Sequence, residues 1–299
     1  MKVISHSADA DGRLSAYLVA KKFGLDNESD FIMTDYGKND DIFSKIKKDE
    51  KVIICDFSLQ NGVEDMKKLM KITKDIIWID HHISSINDYG DFGKNIPGIR
   101  VNGTAACMLT YIYFFLYDAK GVLNLTQEEC EKLYSKAPLV VRLVHDNDVW
   151  RYDYKETGKF KLGLDSLSIE SPLDFRWNNL MNNESFINKL VDSGSYLERY
   201  RDSLGKYATK SYGFEYEING LKGFCLNNVF GGSYWFGDII NDYDFVCSFL
   251  YMGQEKQWEY SFYSVKENVN CADIAKSVNP KGGGHKGAAG CVTKELIFK

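Results

Sequence analysis

The histidines of this 299-residue chain lie in a few short segments that are also rich in aspartate or glycine. There are five of them: His6, His81, His82, His145 and His285. Imidazole and carboxylate groups bind divalent cations, and they also act as general acids and bases. This distribution predicts a site that combines cation binding with proton transfer.

Four such segments follow apolar runs that read as strands or a helix. They are SHSADADG (5–12), Asp56 after VIIC, DHH (80–82) after IIWI, and HDNDVW (145–150). In an open parallel sheet, ligands bind beyond the carboxyl ends of the strands. We therefore expect these segments to meet at one edge of a sheet, with both Asp146 and Asp148 as candidates from the last one.

The mixture of oxygen and nitrogen ligands without thiolate favours Mn²⁺ or a similar divalent ion over structural zinc. A carboxylate shared by two ions about 3.5–4 Å apart would activate water for in-line phosphoryl transfer. Adjacent side chains on extended backbone point to opposite sides. His81 could thus bind a metal while His82 faces the substrate, with Asp80 orienting an imidazole ring.

Each segment has a simpler interpretation when it is taken alone. Alternate aspartates in 5–12 suit an Asx turn and a helix N-cap. Asp146 and Asp148 could be solvated charges at a helix end, and a single buried aspartate such as Asp56 is weak support for a metal site. The metal interpretation depends on all four segments meeting.

A fifth segment, PKGGGHKGAAG (280–290), contains five glycines and one histidine. Glycine lets backbone approach a ligand closely, while a histidine and a lysine could contact a phosphate. The candidate substrate-binding residues are Gly283, Gly284, His285 and Lys286. A flexible surface turn is the alternative.

The elements that position these residues are predicted from periodicity. Apolar runs at 2–5, 31–36, 51–58 and 75–80 read as buried strands that alternate with helical patterns, which predicts a doubly wound parallel α/β domain. Helical patterns cover 103–118, 126–148 and about 184–208. Aromatic, β-rich segments from about 214 predict a smaller α+β domain. We predict domains at 1–195 and 214–299, joined by a helical linker at 196–213.

Composition restricts the classes of partner. The formal net charge is −5, which argues against a broad basic face for long duplex nucleic acid but allows a small phosphorylated ligand. Seven scattered cysteines without a C-x-x-C pair predict reduced thiols and a cytoplasmic location. The first residues lack the apolar region of a secretory signal, and 111–119 is too short to span a bilayer. We expect no membrane partner, and the oligomeric state is left open.

With these motifs assembled, the sequence resembles the DHH superfamily of phosphoesterases. HSADADG, DFS, DHH and HDND follow the order of the family's N-terminal domain, and GGGHKGAAG resembles the signature of its C-terminal DHHA1 domain. The resemblance implies two Mn²⁺ ions and a substrate phosphate bound by the glycine segment. It also implies the following sets: His6, Asp9 and Asp56 for one ion; Asp11, Asp56, His81 and Asp146 for the other; and Asp80 and His82 as catalytic residues.

Two details depart from the most common family pattern. His6 lies one residue farther from Asp9 than in the short form of the first motif, so Asp9 and Asp11 are the safer ligands. Asp146 is preferred over Asp148 because an aromatic residue, here Trp150, often follows the ligand by four positions.

The function that the resemblance implies is manganese-dependent hydrolysis of short RNA oligonucleotides or dinucleotides to nucleoside 5′-monophosphates. Hydrolysis of cAMP, cGMP or linearised cyclic dinucleotides is the nearest alternative. A non-catalytic nucleotide sensor is an alternative of a different class, which would be expected to lack a metal ligand.

Overall fold

The structure, a computed structural model, describes residues 1–37, 41–228 and 231–298. The chain divides into two compact units, Met1–Ser195 and Tyr196–Lys299. The domain and linker boundaries predicted above stay a prediction.

The first unit is built on a parallel sheet of five strands in the spatial order β2-β1-β3-β4-β5. The strands are β1 (Lys2–His6), β2 (Phe31–Thr34), β3 (Val52–Cys55), β4 (Ile76–Asp80) and β5 (Gly98–Arg100). Strands β1 to β4 match the predicted apolar runs, and β5 was not predicted, because three residues give too short a pattern.

The register of the sheet aligns the ends of the strands that carry candidate ligands. Ser5 of β1 pairs with Cys55 of β3, and Cys55 pairs with Ile79 of β4. His6, Asp56 and Asp80 each lie one residue beyond this row. The three chemical motifs therefore begin at the same edge of the sheet.

Helices cover both faces of this sheet. Those lying wholly in the first unit are α1 (Ala10–Phe23), α2 (Val63–Ile72), α3 (Ile83–Lys94), α4 (Ala106–Tyr111), α5 (Gln127–Glu131), α6 (Leu139–Asp148), α7 (Thr157–Ser166) and α8 (Phe175–Asn182). Val3 and Ile53 belong to one buried cluster, whereas Ile4 and Ile54 belong to another. Alternate strand residues thus bury on opposite faces, as a doubly wound α/β domain requires.

The predicted single helix over 126–148 is wrong. The chain forms α5, a 3-10 turn at Tyr134–Lys136, and then α6. Ala137 is extended and Pro138 caps α6, because the residue before a proline disfavours helical geometry and proline lacks an amide hydrogen. The break lets α6 run independently and place its last turn at the site.

The second unit contains a mixed six-stranded sheet in the order β10-β11-β9-β8-β7-β6. Its strands are β6 (Phe214–Ile218), β7 (Leu221–Asn227), β8 (Phe245–Met252), β9 (Gln257–Tyr263), β10 (Gly283–Gly284) and β11 (Ala288–Thr293). Strands β7 and β8 are parallel, and the other neighbours are antiparallel. Helix α10 (Cys271–Val278) contacts this sheet, and α9 (Glu184–Tyr212) begins in the first unit and ends in the second. The predicted α/β class with a second mixed domain is confirmed.

Two sequence expectations concern the environment of the chain. Across the three described ranges, no helix combines the length and the apolar character needed to cross a bilayer. All seven cysteines are free and buried. The cytoplasmic location stays a prediction.

Candidate metal centre

The first motif folds back on itself where β1 meets α1. His6 Nδ1 lies 2.8 Å from Asp9 Oδ2, and Asp9 Oδ1 accepts a hydrogen bond from the Gly12 amide at 3.0 Å, which caps α1. A Cβ atom at Gly12 would lie 2.2 Å from the His6 carbonyl oxygen, so only glycine permits this approach. Asp9 therefore caps α1, as the simpler interpretation predicts, and its second carboxylate oxygen lies beside His6, where it stays a candidate metal ligand.

Asp35 is a neighbour of this motif that sequence reasoning missed. Its Oδ1 lies 3.0 Å from His6 Nε2. Asp35 follows β2 at the same edge of the sheet, so its position directly after an apolar strand was the available signal. With Asp9 and Asp35 beside its two nitrogens, the pKa of His6 is raised, chiefly by the hydrogen bond that its ring donates to Asp9.

Asp56 lies at the centre of the cluster. Its carboxylate is buried, with Oδ1 3.2 Å from His81 Nε2 and Oδ2 3.8 Å from His6 Nδ1. The residue has a φ of 55°, a left-handed conformation that is uncommon for aspartate and is often found at functional sites. The Asp56 carboxylate thus lies between the imidazole rings of His6 and His81.

Asp11 and Asp148 complete the other side. Asp11 accepts hydrogen bonds from the Ala106 and Cys107 amides at 2.8 and 2.7 Å, which fixes its buried carboxylate. His81 Nε2 lies 3.7 Å from Asp11 Oδ2 and 3.5 Å from Asp148 Oδ2. These three side chains can therefore converge on one small volume.

The possible ligand atoms fall into three overlapping groups, each with atoms within 4.8 Å of one another. The groups are His6, Asp9 and Asp56; Asp11, His81 and Asp148; and Asp56, His81 and His82. The first two groups correspond to the two ligand sets implied by the sequence, with Asp148 in place of Asp146.

Asp146 occupies a different environment. Its Oδ1 accepts a hydrogen bond from the Asp153 amide at 2.9 Å, and its Oδ2 accepts from the Tyr154 amide and the Thr157 hydroxyl. Residues two apart on a helix point roughly 200° apart, so only one of Asp146 and Asp148 can face the cluster. The structure brings Asp148 there, and Asp146 anchors the segment after α6. The geometry therefore favours Asp148 over Asp146 as the candidate ligand, and the assignment of the ligand stays a prediction.

The aromatic residue on which that preference rested does not mark the ligand. Trp150 lies beyond the end of α6 with a φ of 57° and is largely exposed. The neighbouring His145 is buried, accepts a hydrogen bond from the Ala105 amide through Nδ1, and packs against Tyr134. Burial lowers the pKa of His145 to about 4, so this ring is neutral.

Asp80 and His82 form a pair next to the cluster. Asp80 Oδ1 accepts from the His81 amide at 2.7 Å and lies 2.8 Å from His82 Nδ1. That hydrogen bond raises the pKa of His82, and because Nδ1 is engaged, Nε2 is the nitrogen available for proton exchange. The half-buried ring can therefore carry a proton near neutral pH.

The carboxylates of the cluster repel one another because they are buried together. Burial, with Asp11 and Asp9 nearby, raises the pKa of Asp56 well above its usual range. Burial and the same two neighbours raise the pKa of Asp148 to about 9. The protein alone supplies too little positive charge for these groups.

Two oxygen atoms test whether a cation fits. Within the described chain, Asp56 Oδ1 and Asp148 Oδ2 are buried and accept no hydrogen bond. Buried polar atoms are almost always satisfied, and a coordinated cation would satisfy these two while offsetting the repulsion. Burial also lowers the pKa of His81, which favours the neutral imidazole that binds metals. The donor set fits divalent cations.

The glycine segment forms a hairpin in the second unit. Gly283 and Gly284 of β10 pair with Gly290 and Ala289 of β11. Gly284 has a φ of 142°, and a Cβ atom there would lie 2.6 Å from the Ala289 Cα. The turn between the strands exposes His285 and Lys286. The segment is thus an ordered turn with accessible polar groups.

Comparison with known proteins identifies the class. The profile of the DHH family, N-terminal domain, matches residues 2–163, more than half of the chain. This chain therefore belongs to the DHH family. The resemblance inferred from the motifs is confirmed, and so is the class of enzyme: the family consists of metal-dependent phosphoesterases that act on phosphodiester or phosphoanhydride bonds.

Three solved structures share the fold. One is described as the pGpG-specific phosphodiesterase PggH from Vibrio cholerae (13% identity, 98% of this chain and 93% of that chain, TM-score 0.53). Another is the DHH domain of PF0399, described as a member of the s1p family of ribosomal proteins (16% identity, 98% of this chain and 82% of that chain, TM-score 0.56). The third is RecJ from Thermus thermophilus in complex with Mn²⁺ (14% identity, 99% of this chain and 50% of that chain, TM-score 0.51). A comparison with curated protein sequences finds no match.

Proposed function

We propose that this chain is a manganese-dependent phosphodiesterase that hydrolyses short RNA oligonucleotides or dinucleotides to nucleoside 5′-monophosphates. The observation that carries the proposal is the cluster around the buried Asp56, in which three histidines and four aspartates meet and two carboxylate oxygens lack hydrogen bonds. Such an arrangement is costly without cations and suited to hold two of them.

The chain's own residues divide into two ligand sets that share Asp56. His6, Asp9 and Asp56 would hold one Mn²⁺ ion, and Asp11, Asp56, His81 and Asp148 would hold the other. When bound, the ions supply Lewis-acid activation of water and of the phosphate. Asp11 is held in place by the Ala106 and Cys107 amides, so its ligand geometry is set before a cation binds.

His82 would donate a proton to the leaving oxygen of the scissile phosphodiester, and Asp80 would orient it. Asp80 accepts a hydrogen bond from His82 Nδ1 and raises the pKa of His82, so the imidazolium persists to a higher pH than it would without Asp80. Asp80 also accepts a hydrogen bond from the His81 amide. One carboxylate would therefore orient both the metal ligand His81 and the proton donor His82.

The substrate class is inferred from the second unit and from charge. We assign the mixed-sheet unit as a DHHA1-type domain whose segment Gly283, Gly284, His285 and Lys286 binds a substrate phosphate. Backbone amides of a glycine-rich turn bind anions without requiring a basic surface, in keeping with the net charge of −5. A small substrate, rather than a long duplex, suits this turn.

The likeness of fold to a protein described as pGpG-specific supports a dinucleotide among the substrates. It also keeps linearised cyclic dinucleotides as a candidate substrate beside short RNA. The cluster retains a residue at every expected ligand position once Asp148 replaces Asp146, which weighs against a non-catalytic sensor.

Product analysis by chromatography tests the proposal. Purified protein with Mn²⁺ is incubated with diadenylate, pGpG, a five-nucleotide RNA, cAMP, cGMP, phosphoadenosine phosphate and pyrophosphate, with Asp56→Asn as the control. We expect release of the 5′-monophosphate from the dinucleotides by the wild type alone. Turnover of cAMP or cGMP without dinucleotide cleavage would replace this function with cyclic-nucleotide hydrolysis. Nucleotide binding without turnover of any substrate would favour the sensor.

A further inference from the structure

The solvent face of α9 within the second unit carries large apolar side chains where polar ones are expected. Tyr196, Tyr200 and Tyr207 are 68%, 66% and 61% exposed, and Leu204 is 39% exposed. At about 100° per residue these four side chains lie within about 80° of the helix circumference. They therefore form one continuous stripe, which we call the tyrosine face. A solvent-facing helix surface is normally polar, so an exposed apolar stripe indicates a binding surface.

The opposite side of α9 is the side that packs against the rest of the second unit. Gly205 and Thr209 are buried, and a Cβ atom at Gly205 would lie 2.6 Å from the Trp235 carbonyl oxygen. That side is fixed against the 3-10 segment Ser233–Asn241. The tyrosine face therefore points away from the contacts that hold the helix in its own unit.

The charges nearest the tyrosine face are of one sign. Arg199, Lys206 and Lys210 are exposed and lie along one edge, within about 80° of Tyr196. In residues 196–212 the only carboxylates are Glu198 and Asp202, at about 200–240° from Tyr196; Asp202 borders the basic edge one turn before Lys206, and neither carboxylate lies on the tyrosine face. Arg201 is paired with Asp202 at 3.0 Å. The basic edge is thus available to an anionic partner.

The ring of Tyr196 already contacts one planar group, the guanidinium of Arg199. The guanidinium of Arg199 lies 4.8 Å from the centre of the Tyr196 ring, which is a cation–π contact. The tyrosine face is about 16 Å long from Tyr196 to Tyr207, and the basic edge beside it continues to Lys210, about 21 Å from Tyr196 along the helix, at 1.5 Å per residue. Rings separated along such a length, beside a row of cations, match a strand that alternates planar bases with phosphates.

We propose that the tyrosine face binds single-stranded nucleic acid, with bases stacked on Tyr196, Tyr200 and Tyr207 and phosphates beside Arg199, Lys206 and Lys210. A second copy of the chain is a poorer partner. In an antiparallel pair the same basic edges would face each other, and the face itself supplies no carboxylate to neutralise them. Duplex nucleic acid is also excluded as the preferred partner, because its bases are not free to stack on the rings.

Binding of a fluorescent ten-nucleotide RNA with phosphorothioate linkages, which resist hydrolysis, tests this proposal by anisotropy with the full-length, metal-loaded protein. We expect Tyr200→Ala and Tyr207→Ala each to raise Kd roughly tenfold, since stacking of a base on one ring contributes about 1–3 kcal/mol. Tyr200→Phe should bind like the wild type. Tyr251→Ala, which removes another exposed tyrosine of the same unit, is the matched control and should have no effect.

Two further readouts distinguish the surface from the catalytic site. Lys206→Gln and Lys210→Gln should reduce the salt dependence of Kd, each by about one phosphate contact. The kcat/KM of the tyrosine variants on a dinucleotide should stay at the wild-type value. Loss of dinucleotide hydrolysis by the wild type would refute the proposed function but leave the binding result standing.

Three results would overturn the tyrosine face as a nucleic-acid surface. The first is wild-type binding that the tyrosine substitutions leave unchanged, or no binding at all. The second is equal affinity for a duplex of the same length. The third is a concentration-dependent dimer in sedimentation velocity that Tyr200→Ala abolishes, which would assign the face to a second copy.

Discussion

The edge of the parallel sheet and the glycine hairpin of the second unit differ in the burial and crowding of their polar groups. At the sheet edge, Asp11, Asp56 and Asp148 are crowded together and largely withdrawn from water, and one carboxylate oxygen each of Asp56 and Asp148 lacks a hydrogen-bond donor. At the hairpin, His285 and Lys286 are exposed on the turn that joins the paired strands β10 and β11. The carboxylates of the first region repel one another unless a cation binds or a proton is taken up, whereas the exposed groups of the second region are not crowded by buried charges of the same sign.

This difference indicates how each region contributes to function. Groups that are costly to bury are retained where they act on charge during the reaction, whereas an exposed turn contributes through contacts made on binding. We therefore expect substitutions at the sheet edge to lower kcat strongly and substitutions at the hairpin to act mainly on KM.

The largest effect is expected from Asp56→Asn. Losing the ligand shared by both sets should lower kcat by about a thousandfold or more, on the scale of removing a central catalytic group. Without metal, the variant should be at least as stable as the wild type, because a buried negative charge has been removed. Turnover on diadenylate and thermal unfolding in EDTA measure the two quantities. Turnover near the wild-type level would remove Asp56 from the metal centre.

A matched pair of substitutions separates Asp146 from Asp148. Asp148→Asn should weaken Mn²⁺ binding and lower kcat while leaving the metal-free fold stable. Asp146→Ala should destabilise the fold by about 2–3 kcal/mol, because the Asp153 and Tyr154 amides and the Thr157 hydroxyl lose a charged acceptor. Urea unfolding and Mn²⁺ titration of both variants are the measurement. The reverse pattern would restore Asp146 as the ligand.

Asp80→Asn should lower activity by about 10–100-fold, as expected for a residue that positions a ligand and a proton donor. Its pH profile is more informative than its rate. Asp80 raises the pKa of His82, so protonated His82 and activity are lost only as pH rises through that raised value. In the variant the descending limb should therefore shift to lower pH. An unshifted limb would show that another group donates the proton.

The smallest effect is expected at the hairpin. His285→Ala should raise KM roughly tenfold, the scale of one hydrogen bond to a charged group, with kcat and Mn²⁺ affinity unchanged. Steady-state kinetics on diadenylate, with Lys281→Ala as a control for a nearby exposed cation, provides the measurement. A fall in kcat without a change in KM would contradict the division between the two regions.

The sequence was sufficient for the parts of the site that lie in line with strands. His6, Asp56 and Asp80 each follow or end an apolar run, and parallel strands bring their carboxyl ends to one edge, so their proximity was predictable. The same rule, applied to β2, would have added Asp35 to the predicted site residues. The only feature of the sequence that points to Asp35 is its position directly after Thr34, the last residue of β2.

The parts that were not predictable depend on helix orientation and breaks. The sequence offers both Asp146 and Asp148, and the preference for Asp146 rested on Trp150 alone, whereas the rotation of α6 about its axis decides which one faces the cluster. That rotation depends on where α6 begins, which Pro138 sets within a stretch that periodicity predicts as one long helix. A pattern of types and spacing does not encode this angle.

Counting bound metal tests the two-cation centre most directly. Isothermal titration of the metal-free wild type with Mn²⁺, checked by elemental analysis of the dialysed protein, should give two ions per chain. Asp56→Asn, titrated in parallel, should lose at least one of them. A wild-type stoichiometry of one or none, or an Asp56→Asn variant that still binds two ions, would contradict the proposed centre.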